Sequence, residues 1–447
     1  MSNQDWLERS RHAVWHPCTQ MKQHETLPLV PIARGDGIRL TDFDGNTYLD
    51  GISSWWVNLF GHGEPRIRAA IARQLDSLEH VMLAGFTHRP VVELSERLAA
   101  LSGLGHAFYA SDGASATEIA LKMSYHYWRN AGQPGKTRFA CLEHSYHGET
   151  LGALGVTDVP LFSATYAPLR HAARVVPTPD ARQAGDGVSA EDVALAAAAK
   201  LEILFAAEAD SLAAIIVEPL VQGAAGMVFH HPRYLTELRR LCDRYGVHLI
   251  ADEIAVGFGR TGTLFAHEQA GIRPDFLCLS KGITGGFLPL SCVLTRDDIY
   301  QAFYHDDVTQ GFLHSHSYTG NALACSAALA VLDIFEQDRV LEKNRDTARR
   351  FSAELAAVRE HRSVRHFRHL GMIWAFEVDT PRADFARAFF AEMLDAGCLL
   401  RPIGNTVYFM PPYCIGDEDM SRFAEATLSA LDKLGGVAGG TSAPALP

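Results

Sequence analysis

The chain has 447 residues, 47% hydrophobic and 21% charged, with 40 Lys and Arg against 52 Asp and Glu for a net charge of −12. This balance excludes a disordered, collagenous or nucleic-acid-coating protein, because disorder needs fewer apolar residues and phosphate binding needs a basic face. At about 150 residues per domain the length predicts two to three domains, with ample core and no need of disulfide or metal staples.

In chain order, MSNQDWLERSRHAVWHP has no apolar h-region and is not read as a secretory signal. Residues 1–64 read as an N-terminal arm and part of a small domain. Within them DGIRLTDFDGNTYLDG sets Asp44-Gly45 between two alternating runs, a hairpin signal. Over 65–335 short apolar runs alternate with helical periodicity. Strands are predicted at 106–111, 138–143, 212–219, 247–253 and 274–280, with helices such as 115–130 and 232–246 between them. That alternation predicts a large domain with a parallel α/β sheet covered on both faces. After Asn321 a long helical run reaches 358 and leads into a small α+β domain over 336–434. Residues 435–447, Gly/Ala/Pro-rich, are expected to form a disordered tail. No apolar run approaches the about 18 residues of a membrane span. The cysteines at 18, 141, 242, 278, 292, 325, 398 and 414 include no C-x-x-C pair and read as reduced thiols of a soluble cytoplasmic protein.

In open parallel sheets ligands bind beyond the carboxyl ends of the strands. Here those ends carry Ser111-Asp112-Gly113, Glu143 through Gly148, Glu218-Pro219, Asp252-Glu253 and Ser280-Lys281-Gly282. An acid, a lysine, a tyrosine and a Gly-rich turn on one rim suit a cofactor with a phosphate, a ring and a basic nitrogen. Asp252 alone would read as a strand-exit cap and Lys281 alone as a snorkelling surface residue. What lifts Lys281 is its setting, Ser-Lys-Gly followed by Gly285-Gly286, where backbone and a bulky ligand approach closely. A desolvated lysine has a lowered pKa and forms a Schiff base with an aldehyde. Residues 257–262, GFGRTG, match a dinucleotide fingerprint. Five residues, Asp252 through Val256, separate them from the strand, and no phosphate-facing helix or acid follows at the required spacing, so no dinucleotide site is expected.

The strings SDGASATEIALKM, SYHGET, IIVEPLVQGAAGM, LIADEIAVGFGRTGTLFA, CLSKGITGG and HSHSYTGN resemble the class-III, fold-type-I aminotransferases dependent on pyridoxal 5′-phosphate. The resemblance spans about residues 10–434 in the family's order. It implies a large domain with a mostly parallel, seven-stranded-type sheet plus a small α+β domain. It also implies a homodimer with shared active sites. WHPCTQ, DGISSWWVN, EHVMLAGFTH and RPIGNTVYFMPPY resemble most the members that move an amino group from S-adenosylmethionine to 8-amino-7-oxononanoate. The alternative within the family is a general ω-aminotransferase acting on a diamine, β-alanine or 4-aminobutyrate. A non-catalytic cofactor-binding protein is disfavoured by the intact Asp252 and Lys281.

The resemblance gives each residue a role. Lys281 matches the Schiff-base lysine that also shuttles a proton, Asp252 the carboxylate paired with the ring nitrogen, and Tyr146 the aromatic on the ring. Gly113 and Ala114 match the phosphate-holding turn. Relatives often carry Gly-Ser there, so Ser115 is a candidate for the hydroxyl contact. In HSHSYTGN, Ser317 matches the hydroxyl reaching the phosphate from the neighbouring subunit, with Ser315 and His316 beside it. Trp55 and Trp56 would flank the substrate, Trp55 offering its face to the sulfonium of the donor. Arg401 resembles the arginine that takes a substrate carboxylate, and Arg260 is a secondary candidate. Cys18 stands where relatives carry Tyr or Phe. The histidines of HSYHG and HSHSY lack acidic or thiol partners at ligand spacing, so no metal is expected.

Overall fold

The structure, a computed structural model, describes residues 1–27 and 29–436, so most of the expected tail lies outside the described residues. The chain forms two compact units. One comprises Trp56–Asn58 and Pro65–Asn344; the other comprises Met1–Trp55, Leu59–Glu64 and the chain from Arg345 onward.

The larger unit is built on a seven-stranded sheet. Its spatial order is His106–Ala110, Ser291–Thr295, Phe276–Leu279, His248–Asp252, Leu212–Val217, Arg138–Leu142 and Arg174–Val176. The last five run parallel, with Ala251 opposite both Leu277 and Val217. All six residues of Leu212–Val217 are buried, as an apolar run covered on both faces requires. The five strands expected from sequence are all present, each shorter than its apolar run. Two further ones, Arg174–Val176 and Ser291–Thr295, went unforeseen. Ser291–Thr295 runs antiparallel to both neighbours, so the sheet is mixed.

The helix Gly113–Asn130 lies on this sheet. It buries Ala116, Ile119, Ala120 and Met123 against Cys141, Ile216, Ile250 and Cys278. That i, i+3, i+4, i+7 spacing is one face of a helix, and it anchors the helix start at the carboxyl edge of the sheet. The single helix expected over 322–358 is three: Ala322–Gln337, Val340–Glu354 and Ala356–Glu360. The first break falls where Arg339 takes a φ of 50° and both terminal nitrogens of Arg66 hold Asp338, at 3.1 and 2.9 Å.

In the smaller unit the expected hairpin is present, Arg39–Asp42 pairing antiparallel with Thr47–Asp50. Cys398–Leu399 adds a parallel strand beside Thr47–Asp50, so the two ends of the chain share one sheet. A second sheet joins Val364–Leu370, Ile373–Val378 and Thr406–Phe409. The arm holds a helix, Asn3–Ala13, opened by a Ser2–Asp5 capping box, with Trp6 stacked 5.0 Å from Phe43 of the hairpin. Among the described residues no helix is long and apolar enough to cross a membrane.

Candidate active site

Parallel register brings Glu218, Asp252 and Lys281 out on one edge of the larger unit, because each stands at or just past the end of a neighbouring strand. Asp252 is 4% exposed. Its Oδ2 lies 2.6 Å from His147 Nδ1, and its Oδ1 accepts from the Ile254 amide at 3.1 Å. The capping role read for a lone Asp is thus filled by one oxygen, while the other is held by a buried imidazole. His147 is in turn fixed by its backbone: its amide donates to Thr157 Oγ1 at 3.0 Å and its carbonyl accepts from Thr117 Oγ1 at 2.9 Å.

Lys281 has a φ of 46°, left-handed for a residue with a Cβ, immediately after Ser280. Its Nζ stands 4.3 Å from the ring centroid of Trp56, which is 5% exposed. Burial pushes the ammonium down to about 8, with Arg260 adding to the fall and Asp252 and Glu218 opposing it. A substantial fraction of free base at neutral pH is what a nucleophilic amine needs.

Tyr146 sits in the loop after Arg138–Leu142. Its amide donates to Glu218 Oε1 at 3.1 Å, its hydroxyl to Glu149 Oε1 at 2.9 Å, and its ring meets Phe162 edge-on. Burial beside Asp252 pushes the Glu218 carboxyl up to about 7, against the opposing pull of His147 and two backbone amides.

At the start of Gly113–Asn130, Asp112 is the N-cap. Its carboxylate accepts from the Ser115 amide at 2.9 Å and the Ser115 hydroxyl at 2.8 Å. By helix geometry the Gly113 and Ala114 amides have no intrahelical acceptor, and the positive end of the helix dipole lies with them. Gly148 closes against this turn. At φ +118° a Cβ there would stand 2.5 Å from Ala114 Cβ, so only glycine fits beside this alanine. Ser111 Oγ at the preceding strand end lies 3.5 Å from His316 Nε2 of the same chain. Ser315 and Ser317 are exposed, and the Ser317 carbonyl accepts from His80 Nε2 at 2.6 Å.

Arg260 is 1% exposed and donates to the Asn58 carbonyl at 2.9 Å, a buried setting for a substrate clamp. In the smaller unit Arg401 is exposed, its Cζ 5.6 Å over the ring of Trp55, which is itself 47% exposed. Cys18 is exposed in the arm with a φ of 52°. The GFGRTG segment is a run of turns leading to the short 3-10 helix Ala266–Ala270, with no phosphate-facing α-helix. Among the described residues no three His, Cys, Asp or Glu side chains are grouped to hold a metal ion.

From sequence His147 reads only as a hydrogen-bonding group, with no partner assigned, and Glu218 carries no role. The strand-end position of Glu218-Pro219 was the signal for the second. Pairing of His147 with Asp252 spans 105 residues and left none. The donor set of this unit fits a pyridoxal phosphate: an amine of lowered pKa, a buried carboxylate held by imidazole, and helix N-terminal amides.

Comparison with known proteins agrees. The family model described as "Aminotransferase class-III" matches residues 20–431. A Helicobacter pylori protein named adenosylmethionine-8-amino-7-oxononanoate aminotransferase is 46% identical over 430 residues, covering 94% of this chain and 96% of its own. The crystal structure of the Methanocaldococcus jannaschii protein of the same name superposes with a TM-score of 0.90 at 33% identity, covering 96% of this chain and 99% of that one. An amine transaminase from an uncultivated Pseudomonas species, in its PLP-bound form, gives 0.89 at 32% identity, covering 95% and 99%. The chain belongs to the class-III aminotransferases, enzymes dependent on pyridoxal 5′-phosphate.

Proposed function

We propose that this class-III aminotransferase takes the amino group of S-adenosylmethionine and delivers it to 8-amino-7-oxononanoate, giving 7,8-diaminononanoate in biotin biosynthesis. The observation that carries the substrate choice is the 46% identity over nearly the whole chain to the Helicobacter pylori protein of that name. The fold does not make the choice, since the amine transaminase superposes equally well.

The cofactor, when bound, supplies a conjugated ring that accepts the electron pair released at the substrate carbon. Lys281 Nζ, poised near neutrality, takes the proton from the amine-bearing carbon of the donor and returns one in the acceptor half-reaction. Asp252, fixed by His147, keeps negative charge at the strand end and so favours a protonated ring nitrogen. Tyr146 would cover the ring, and the Gly113 and Ala114 amides would receive the phosphate, while the Ser115 hydroxyl is committed to Asp112. Ser317 and His316 complete the phosphate site of a second copy, and the enzyme works as a cytoplasmic homodimer. Arg401 takes the carboxylate that both substrates carry, because it is exposed whereas Arg260 is committed inside the larger unit. Trp55, Trp56, Cys18 and Ser315 border the substrates.

The test is a donor and acceptor screen on purified protein. Turnover with S-adenosylmethionine and 8-amino-7-oxononanoate is expected. Turnover only with putrescine, β-alanine or 4-aminobutyrate would establish the ω-aminotransferase reading instead. Sedimentation at micromolar concentration, expected to give about twice 49.0 kDa, tests the homodimer.

A further inference from the structure

Glu218 is 6% exposed, yet the mechanism above gives it nothing to do. It stands between two loops. Oε1 accepts from the Tyr146 amide at 3.1 Å and Oε2 from the Gly223 amide at 2.9 Å. Gly223 is pressed against Trp56: a Cβ there would lie 2.9 Å from Trp56 Cη2. The same indole carries Lys281 Nζ 4.3 Å above its ring. The backbone of Glu218 is itself pinned, its carbonyl accepting from His230 Nε2 at 3.1 Å. One buried carboxylate therefore links the loop bearing Tyr146 to the loop that seats Trp56 beneath Lys281.

We propose that Glu218 is a positioning residue of the aminotransferase reaction. Its ionised carboxylate clamps the Tyr146 and Gly223 backbones together, and protonation loosens the clamp. The proposal rests on the reading of Lys281 as the cofactor's lysine.

Two amide donors converge from opposite sides, and only an ionised carboxylate offers a full acceptor on each oxygen; a glutamine or a protonated acid offers one. A buried carboxylate bonded to two amides would normally titrate low. Here burial and Asp252 push it up to about 7 while His147 pulls it down, and Lys281 also faces it. The clamp thus loosens as pH falls through 7, within the working range of a neutral enzyme.

The experiment uses the cofactor-loaded protein and reads the circular dichroism of its visible cofactor band alongside steady-state kinetics. First, borohydride reduction followed by peptide mass spectrometry must place the cofactor on Lys281; its absence there overturns the underlying reading. With that in place, wild-type dichroism is expected to fall as pH drops from 8 to 6, with an inflection near 7. In Glu218→Gln the inflection is expected to vanish. Its dichroism should drop by half or more, and its kcat by on the order of tenfold, the effect of one lost charged hydrogen bond. The KM for S-adenosylmethionine should stay within about twofold and the urea midpoint near wild type. A Glu218→Gln protein with the wild-type inflection and dichroism overturns the clamp. So does a variant that loses only stability. Should the variant not fold, the wild-type profile decides: flat dichroism between pH 6 and 8 overturns the proposal.

Discussion

The lowered pKa of Lys281 makes a prediction that needs no knowledge of the substrate. With the ammonium at about 8, roughly a tenth of the apoprotein carries a free amine at pH 7; an ordinary lysine near 10.5 would carry about 0.03%. The difference, on the order of 300-fold, governs how fast apoprotein captures pyridoxal 5′-phosphate. Capture followed by stopped-flow visible absorbance should speed up about 50-fold between pH 6 and 8 and level off above 9. The plateau is the diagnostic part, because Glu218, at about 7, is already ionised there and adds no slope. An ordinary lysine would keep gaining tenfold per pH unit to beyond 10. A rate still climbing at unit slope at pH 9.5 would refute the burial argument. A second consequence has the same origin. Between pH 8 and 10.5 the unfolded chain holds the Lys281 proton and the folded one does not, so apoprotein stability rises with pH across that window. In Lys281→Ala both the saturable capture and this rise should disappear.

Three other substitutions test separate parts of the structure. Gly223→Ala puts a methyl 2.9 Å from Trp56 and should cost about 1–3 kcal/mol in urea unfolding, together with an altered cofactor absorbance. Arg401→Lys keeps the charge but loses the two-pronged donor, so KM should rise about tenfold or more for donor and acceptor alike in initial-rate assays. Ser54 has φ 46° and ψ 53°, so Ser54→Ala keeps the left-handed strain while Ser54→Gly relieves it. Both lose the hydroxyl bond to Asp50, and the glycine variant should be more stable by about 1 kcal/mol, the reverse of the usual order.

Much of this was legible in the chain because parallel strands buried on both faces are written as apolar runs, and whatever follows each run lands on the same edge. Asp252, Lys281 and the Gly113 turn were found that way. Two strands escaped for physical reasons. Arg174–Val176 is three residues at a sheet edge, and Ser291–Thr295 follows directly on the Gly- and Pro-containing GGFLPL, where turn signals mask its start. The break at Asp338–Arg339 left no signal in sequence: the backbone turns left-handed at Arg339, beside an Asp338 held by Arg66, 272 residues away in sequence. The partners of His147 and the role of Glu218 escaped likewise: sequence shows which residues stand at strand ends, not which of them bond each other across strands.

The least legible element is also the most strained. Ser53, Ser54, Trp55 and Trp56 have φ of 52, 46, 71 and 72°, four consecutive left-handed residues without a glycine. Each such residue costs about 1–2 kcal/mol relative to ordinary helical backbone, so the turn survives only where its surroundings overrule that preference. Asp50, wholly buried, does much of this: it accepts from the Ser54 amide at 3.0 Å, the Ser54 hydroxyl at 2.8 Å and the Ile52 amide at 3.3 Å, and pairs with His62 at 3.0 Å. Ser53 Oγ adds a bond to the Met410 carbonyl at 2.7 Å. In a strand, adjacent tryptophans would face opposite sides of a sheet. In this turn Trp55 is instead 47% exposed and Trp56 5% exposed on a backbone that is left-handed at both. The strain of this turn is therefore held in place by its hydrogen bonds, and Asp50, which accepts three of them from Ile52 and Ser54, is the residue on which the turn most depends.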